Sequence, residues 1–510
     1  MSGRVHKSIL NAEVNLLFYF LSLFLAFFSR KIFLDCLGAE FIGLTLTLGN
    51  ILGYLNLAEL GISSCISFFL FKPLQSNDRE TIDEIMSVFG YLYRCIGLII
   101  LACGIVVSLF FPVIFDDDEI GMGIIYFSFY SFLGSSLIEY FINYRQILLS
   151  ADQKNYVVTA YMQSATILKT ALQIYMAYNY KNLYAWVAIE FIFSIIACIV
   201  LNWKIDKEYS WLKTDKNRGW SLLKKYPDIL IKTRQVFIHK LKQFITEKSD
   251  ELFIFLFVSL KMVAYYGNYV MIISKLSLLF SSVLDSFGAG IGNLIAEGNK
   301  SNIMKVFWEL NTIMHFVAGV FFFGIYHFIE PFVSVWLGPE YIMGRDILLL
   351  LCIIRYFNAS RVIIDVYNNA HGLFSDVWAA WTELAINVVI TLFAGYFWGI
   401  SGILLGKVIS IGLMVILWKP YYLFTYGLHL PYKYYWLGTS RNVIVSFVSI
   451  AVSHWLLLFI PVDAADGYLS WVLYSSIGMI IYLTINVTLI MLFCKGAKDS
   501  MLRVKTIFIK

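Results

Sequence analysis

Apolar residues fall along the chain in fourteen long runs, near 14–34, 41–70, 86–115, 121–143, 156–178, 183–203, 236–260, 267–296, 306–335, 346–370, 377–396, 400–424, 441–460 and 468–494. A helix needs about 20 residues to cross the hydrocarbon core of a bilayer, and often uses up to about 25. The pattern therefore predicts fourteen membrane-spanning helices, with the thirteenth and fourteenth the least sharply bounded. Short connections leave no room for a soluble catalytic domain. No small-residue cleavage site precedes the first run, so it is expected to be retained as a span.

Polar residues inside these runs form stripes. At 100° per residue, Thr45, Gly49, Asn56, Glu59 and Ser63 of the second run fall within roughly 80° of one another. In the tenth run Arg355, Asn358, Arg361, Asp365 and Asn369 lie within about 120° of arc, with Arg361 and Asp365 four apart and able to pair. The fifth run puts Gln163, Thr166, Thr170 and Gln173 on one face, with Lys169 at its edge. The eighth gathers Ser274, Ser281, Asp285 and Gly288, with Lys275 alongside. Asp250 lies near the start of the seventh, Lys407 inside the twelfth, and Arg30 with Lys31 at the end of the first.

Membrane-embedded charges normally face a bundle interior or a water-filled cavity. Arg361–Asp365 reads equally well as a structural clamp, Glu59 as a protonated carboxyl bonded between helices, and Arg30 as a side chain that snorkels to the interface. Lys169 lies mid-span and is the hardest to explain in that way. A charge at the bilayer centre costs at least about 2.5–3.5 kcal/mol on insertion scales.

Composition agrees with the pattern: 59% of residues are hydrophobic and only 14% charged, against roughly 25% charged in soluble domains. The seven cysteines follow no metal-ligand spacing and read as small hydrophobes. Lys and Arg concentrate in the even-numbered connections and at both termini, while "FDDDE" and "PVDAADGY" in odd-numbered connections have none. Positive-inside bias places both termini in the cytosol. The largest basic cluster, "WKIDKEYSWLKTDKNRGWSLLKKYPDILIKTR", lies between the sixth and seventh runs, either as a solvated connector or against the anionic inner leaflet.

The expected organisation is therefore all-α: an N-lobe of six spans (1–203), a basic linker (204–234), a C-lobe of six spans (235–424), then two further spans and a basic tail (425–510). A faint repeat relates "EFIGLTLTLGNILGYLNLAELGISS" to the segment at 264–302, with Gly43 on Gly267. It implies two lobes in parallel pseudo-twofold repeat around a central cavity. Cations at membrane depth (Lys169, Lys275, Arg355, Arg361, Lys407) outnumber the clearly embedded acids, a bias that suits an anionic substrate because Arg and Lys are the usual partners of phosphate. There is no Gly-Lys-Ser/Thr phosphate loop and no paired-His zinc motif. "GAGIGN" at 288–293 is a small-residue run suited to close helix packing. With these motifs missing, the chain is expected to be a carrier without its own ATPase and not an enzyme, with no metal, no cofactor and no nucleic-acid partner.

The segment "RKIFLDCLGAEFIGLTLTLGNILGYLNLAELGISS", "SDELFIFLFVSLKMVAYYGNYVMI" and "VSVWLGPEY" resemble bacterial polysaccharide flippases of the Wzx type. These belong to the superfamily that also holds multidrug MATE exporters and peptidoglycan-precursor flippases. The resemblance implies a MATE-like fold in the bacterial inner membrane. It also implies flipping of undecaprenyl-pyrophosphate-linked oligosaccharides for O-antigen, capsule or exopolysaccharide assembly, beside a polysaccharide polymerase and chain-length regulator. It gives Arg30, Lys169, Lys275, Arg355, Arg361 and Lys407 the role of holding pyrophosphate and acidic sugars. Glu59, Asp250, Asp285 and Asp365 are left as charge-pair or coupling residues for a proton or sodium gradient. A MATE-type drug antiporter is the competing expectation.

Overall fold

The computed structural model describes residues 2–59, 62–115, 120–284, 291, 294–295, 297–373, 376–494 and 496. Among them the chain is nearly all helix, with no strand, and eight helical segments are long and apolar enough to cross a membrane. Asp285 lies outside the described residues.

Contacts divide the chain into two units, Met1–Phe255 with Ser259–Ala264, and Leu256–Val258 with Tyr265–Lys510. The division falls one span later than the basic linker, so the linker belongs wholly to the first unit.

Unit 1 begins with α1 (Ser2–Leu37), followed by α2 (Ala39–Leu55), α3 (Ile62–Ser76) and α4 (Arg79–Ser108). It continues with α5 (Met122–Phe141), α6 (Asn155–Tyr180), α7 (Leu183–Glu208), the short α8 (Gly219–Lys225) and α9 (Asp228–Phe257). Helix starts follow the capping chemistry of the sequence. Asp78 caps α4 by accepting from the Thr81 amide (3.1 Å), and Asn182 caps α7 by accepting from the Ala185 amide (3.0 Å). Helix α1 lies along α6, joined by Ser22 Oγ donating to Gln163 Oε1 (3.0 Å) and Thr159 Oγ1 donating to Asn15 Oδ1 (2.9 Å). Gly43 of α2 is buried so close to Leu260 that a Cβ there would overlap the Leu260 carbonyl. That approach explains why a glycine is needed at this point of an otherwise bulky helix.

The second apolar run is not the single helix that its hydropathy suggests. A 3₁₀ turn at Asn56–Glu59 separates α2 from α3. The stripe drawn at a constant 100° per residue therefore holds for Thr45, Gly49 and Asn56 but does not carry on to Glu59 and Ser63.

Unit 2 holds α10 (Leu260–Leu284, from Tyr265 onward), α11 (Lys300–Trp336), α12 (Arg345–Ser360) and α13 (Val362–Ala370). It ends with α14 (Val377–Ile411), α15 (Lys433–Leu457) and α16 (Tyr468–Phe493). The eleventh and twelfth runs meet inside α14 at Gly399, whose φ of 53° lies in the left-handed region that favours glycine. The tenth run breaks at Arg361, between α12 and α13. Helix α11 packs against α12, α15 and α16. Along α15 the buried positions Thr439, Asn442, Ser446, Ser449 and Ser453 repeat every three or four residues, forming a polar stripe. Three of them bond to α11: Asn311 Nδ2 donates to Thr439 Oγ1 (3.2 Å), Asn442 Nδ2 to Thr312 Oγ1 (3.4 Å) and Ser446 Oγ to the His315 carbonyl (3.4 Å).

Candidate functional site

Helices α2, α5, α6 and α7 of unit 1 enclose a cavity of about 600 Å³. Its polar wall comprises Thr45 and the backbone of Gly49 from α2, Asn56 from the turn that follows, and Ser135, Ser136 and Glu139 from α5. Thr166 and Lys169 from α6 and Glu190 and Ser194 from α7 complete it. Thr45, Ser135, Ser136, Thr166 and Ser194 place at least one small hydroxyl from each of the four helices on a cavity otherwise walled by Leu52, Phe132, Met162, Trp186 and Phe193, and they leave hydrogen-bonding capacity facing inward.

Lys169 is the one sequence-predicted cation placed on this cavity. Its Nζ lies 2.5 Å from Glu190 Oε1, with the two side chains 19% and 28% exposed. Gln173 Nε2 donates to Glu190 Oε2 (3.0 Å) and to the Trp186 carbonyl (3.1 Å), which fixes the carboxylate against the lysine. Sequence reasoning missed Glu190 and Glu139. Each is a lone carboxylate inside an apolar run, the same signal that singled out Glu59. With Lys169 contributing one positive formal charge and the two glutamates one negative each, the cavity is not cationic by formal count.

Glu59 is held beside the break in the second run. Ser63 Oγ donates to its Oε1 (2.9 Å), Tyr93 OH donates to the same oxygen, and Tyr140 OH donates to Oε2 (2.8 Å). Its partners are thus hydroxyls from α3, α4 and α5, an arrangement that satisfies a carboxylate without a cation. Asn56, at the start of the same turn, accepts from Ser136 Oγ (3.1 Å) and links the break to the cavity wall. Elsewhere in unit 1, Arg30 Nη2 donates to the Ala264 carbonyl (3.1 Å). Asn50 Nδ2 donates to Glu251 Oε2, and Asp250 is buried next to it.

The remaining predicted residues belong to unit 2. Arg355 Nη1 lies 3.5 Å from Ser277 Oγ, on the same helix as half-buried Lys275. Arg361 Nε and Asp365 Oδ2 pair at 3.2 Å, as their spacing suggested, with the side chains 33% and 37% exposed. Lys407 is buried in α14, as is Glu383, which the sequence reading passed over. Asp376 was also missed; it pairs with Lys419 Nζ (2.8 Å) and accepts from Trp418 Nε1 (3.3 Å).

No family model matches the sequence, and no curated protein matches it. Solved structures do. The lipid II flippase MurJ, in an inward closed conformation, is 14% identical, with a TM-score of 0.63 over 94% of this chain and 99% of that one. An inward-facing multidrug resistance MATE family transporter of the MOP superfamily is 13% identical, with a TM-score of 0.58 over 82% of this chain and 97% of that one. At such identity the likeness shows the fold alone, and it is the MATE-like fold that the sequence led us to expect. The chain is a multi-pass helical membrane protein with the fold of MOP-superfamily transporters.

Proposed function

We propose that this protein flips undecaprenyl-pyrophosphate-linked oligosaccharide repeat units from the inner to the outer leaflet of the bacterial cytoplasmic membrane. The units supply O-antigen, capsule or exopolysaccharide assembly. The observation that carries the reading is the extent of the likeness to a lipid flippase, 94% of this chain and 99% of that one. In this reading the chain makes fourteen crossings with both termini in the cytosol, works by alternating access, and catalyses no covalent step. Lys169 is the cavity's phosphate contact, and it engages the substrate only when Glu190 releases it. Arg30, Lys275, Arg355, Arg361 and Lys407 extend that role, and a polysaccharide polymerase and chain-length regulator receive the product.

A second reading rests on Glu139 and Glu190 in the same cavity. Two carboxylates against one lysine suit a cationic drug exchanged for protons or sodium, as in a MATE-type antiporter. Lipid extraction from a strain lacking the protein separates the two. Accumulated pyrophosphate-linked oligosaccharide with loss of surface polymer supports flipping. Intact polymer together with new drug sensitivity supports the antiporter.

A further inference from the structure

The seam between α11 and α15 in unit 2 carries more ionisable groups than helix packing needs. On α11, Glu309, Thr312, His315, Gly319, His327 and Glu330 fall within about 120° of arc. From Glu309 to Glu330 the helix rises about 32 Å, against about 30 Å for the hydrocarbon core of a bilayer. The two helices run parallel. Asn311 meets Thr439, Thr312 meets Asn442, and Ser446 meets the His315 carbonyl. Further along, the His327 and His454 rings stack with centroids 5.1 Å apart. Helix α16 closes the seam midway. Tyr482 OH rests on Gly319, where a Cβ would overlap it and come within 3.5 Å of Ser446 Oγ, and it accepts from Asn486 Nδ2 (2.7 Å).

Buried polar atoms along this seam have no hydrogen-bond partner among the described residues: Asn311 Oδ1, Asn442 Oδ1, Asn486 Oδ1, Ser453 Oγ, His327 Nε2 and Glu330 Oε1. Each such group costs about 1–3 kcal/mol. At one end of the seam, His315 is buried and its Nδ1 donates to the Asn311 carbonyl (2.8 Å), which can only accept. Nε2 is therefore the atom at which this ring takes up and gives off a proton. His315 also lines a cavity of about 170 Å³ with Tyr356, Ser360, Tyr435 and Thr439, whose hydroxyls can hold water. At the other end His454 is exposed. Two imidazolium rings as close as His327 and His454 repel, so a proton taken up by one displaces a proton held by the other. Tyr356 of α12 faces His315, with ring centroids 6.1 Å apart. Arg345 and Cys352 of α12 and Tyr269 of α10 interact electrostatically with Glu330.

A stripe that only packs helices is built from small residues and paired polar groups. It has no use for three imidazoles and two carboxyls at membrane depth, nor for orphaned acceptors between them. A path for a mobile proton needs both, because each site must be empty before the next transfer. We propose that this seam conducts protons through unit 2, with His327 and His315 as its stops and the hydroxyls of Ser453, Ser449, Tyr482 and Ser446 between them. Each hydroxyl accepts a proton on its oxygen and releases its own to the next group, so nothing else is consumed. Chains of acids and histidines inside a membrane serve as proton relays in pumps and transporters. The positive-inside bias puts the starts of α11 and α15 in the cytosol, so protons run from His454 to His315 down an inward gradient. Which cargo they drive rests on the transporter reading above; proton passage does not.

The test is proton flux into liposomes that hold the full chain and an internal pH dye, driven by a potassium diffusion potential that is negative inside. Each rate is read with and without lipid extract of the deletion strain, which supplies cargo to a tightly coupled carrier. The parent should acidify the interior faster than empty liposomes in at least one of the two conditions. His315→Gln and His327→Gln should each slow that flux by about 10²-fold or more, the usual worth of a positioned proton carrier. Tyr482→Phe keeps the ring over Gly319 and should also slow it, and it serves where thermal unfolding shows that a histidine variant does not fold. His371→Gln, outside the seam, should leave the flux unchanged. Equal rates for parent and empty liposomes in both conditions would overturn the pathway, as would undiminished flux in a folded His315→Gln or Tyr482→Phe. Flux that needs these residues, in a protein whose deletion strain accumulates no lipid-linked oligosaccharide, would refute the flippase reading and leave the pathway standing.

Discussion

Replacing Glu190 with glutamine removes the charge facing Lys169 and changes little else in the cavity. The two groups meet at 2.5 Å with less than a third of each side chain exposed. Opposite charges about 4 Å apart at an effective dielectric near 20 attract by about 4 kcal/mol. Removing one partner of a buried pair costs about 3–5 kcal/mol, because the other is left charged and uncompensated. Partial exposure and the nearby hydroxyls reduce this, so Glu190→Gln should lower unfolding stability by about 2 kcal/mol. Removing both charges in Lys169→Met/Glu190→Leu should recover most of that loss, since a well-packed apolar pair often replaces a buried ion pair at no net cost. The two variants then separate stability from transport. In the flippase reading, Glu190→Gln frees an ammonium and still transports, whereas the stable double variant cannot hold an anionic headgroup and stops surface polymer. Thermal unfolding in detergent gives the first quantity, and polymer output in a deletion strain gives the second. Full polymer output from the double variant would refute the role given to Lys169.

Three further substitutions test other parts of the structure. Glu59→Gln keeps one acceptor oxygen, puts an NH2 donor in place of the other and removes the charge that strengthens the bonds, so chemical denaturation should register a loss of about 1.5–3 kcal/mol; transport should fall modestly at every pH, and a sharply altered pH–transport profile would show instead that Glu59 carries a proton. Gly43→Ala places a methyl group on the Leu260 backbone and should cost at least about 1–3 kcal/mol by overpacking, measured as lost thermal stability; a variant as stable as the parent would mean the helices can part there freely. Asn442→Ala removes the bond from α15 to Thr312 of α11 and should cost about 0.6 kcal/mol, the mean for such bonds in membranes; a loss of several kcal/mol would mark the polar stripe as a cooperative network.

The helical class was legible because a bilayer imposes its thickness on hydropathy, and helices α4, α7, α15 and α16 fall close to where the apolar runs put them. The breaks were less legible. Hydropathy does not register this 3₁₀ turn, because Asn56–Glu59 is more polar than the helix before it but too short to interrupt a run read over about 20 residues; Tyr93 and Tyr140, distant in sequence, bond its Glu59. The break at Gly399 falls between the runs at 377–396 and 400–424, where a glycine takes the left-handed φ at no steric cost.

The charged site was legible residue by residue, but its balance was not. Counting cations along separate runs made the membrane interior seem to favour anions, yet a charge in a low-dielectric site is defined by its neighbour as much as by its own sign. Lys169 and Glu190 lie on different helices, and nothing in their spacing announces that they meet. Lys216 shows the converse. In the sequence it is one base among many in a polar linker, and only the fold turns it away from water onto the Phe141 carbonyl and the Tyr144 ring. In the flippase reading, an ion pair such as Lys169–Glu190 is already satisfied, so cargo binds only once the pair opens, and the work of opening it is work that a bound phosphate can offset.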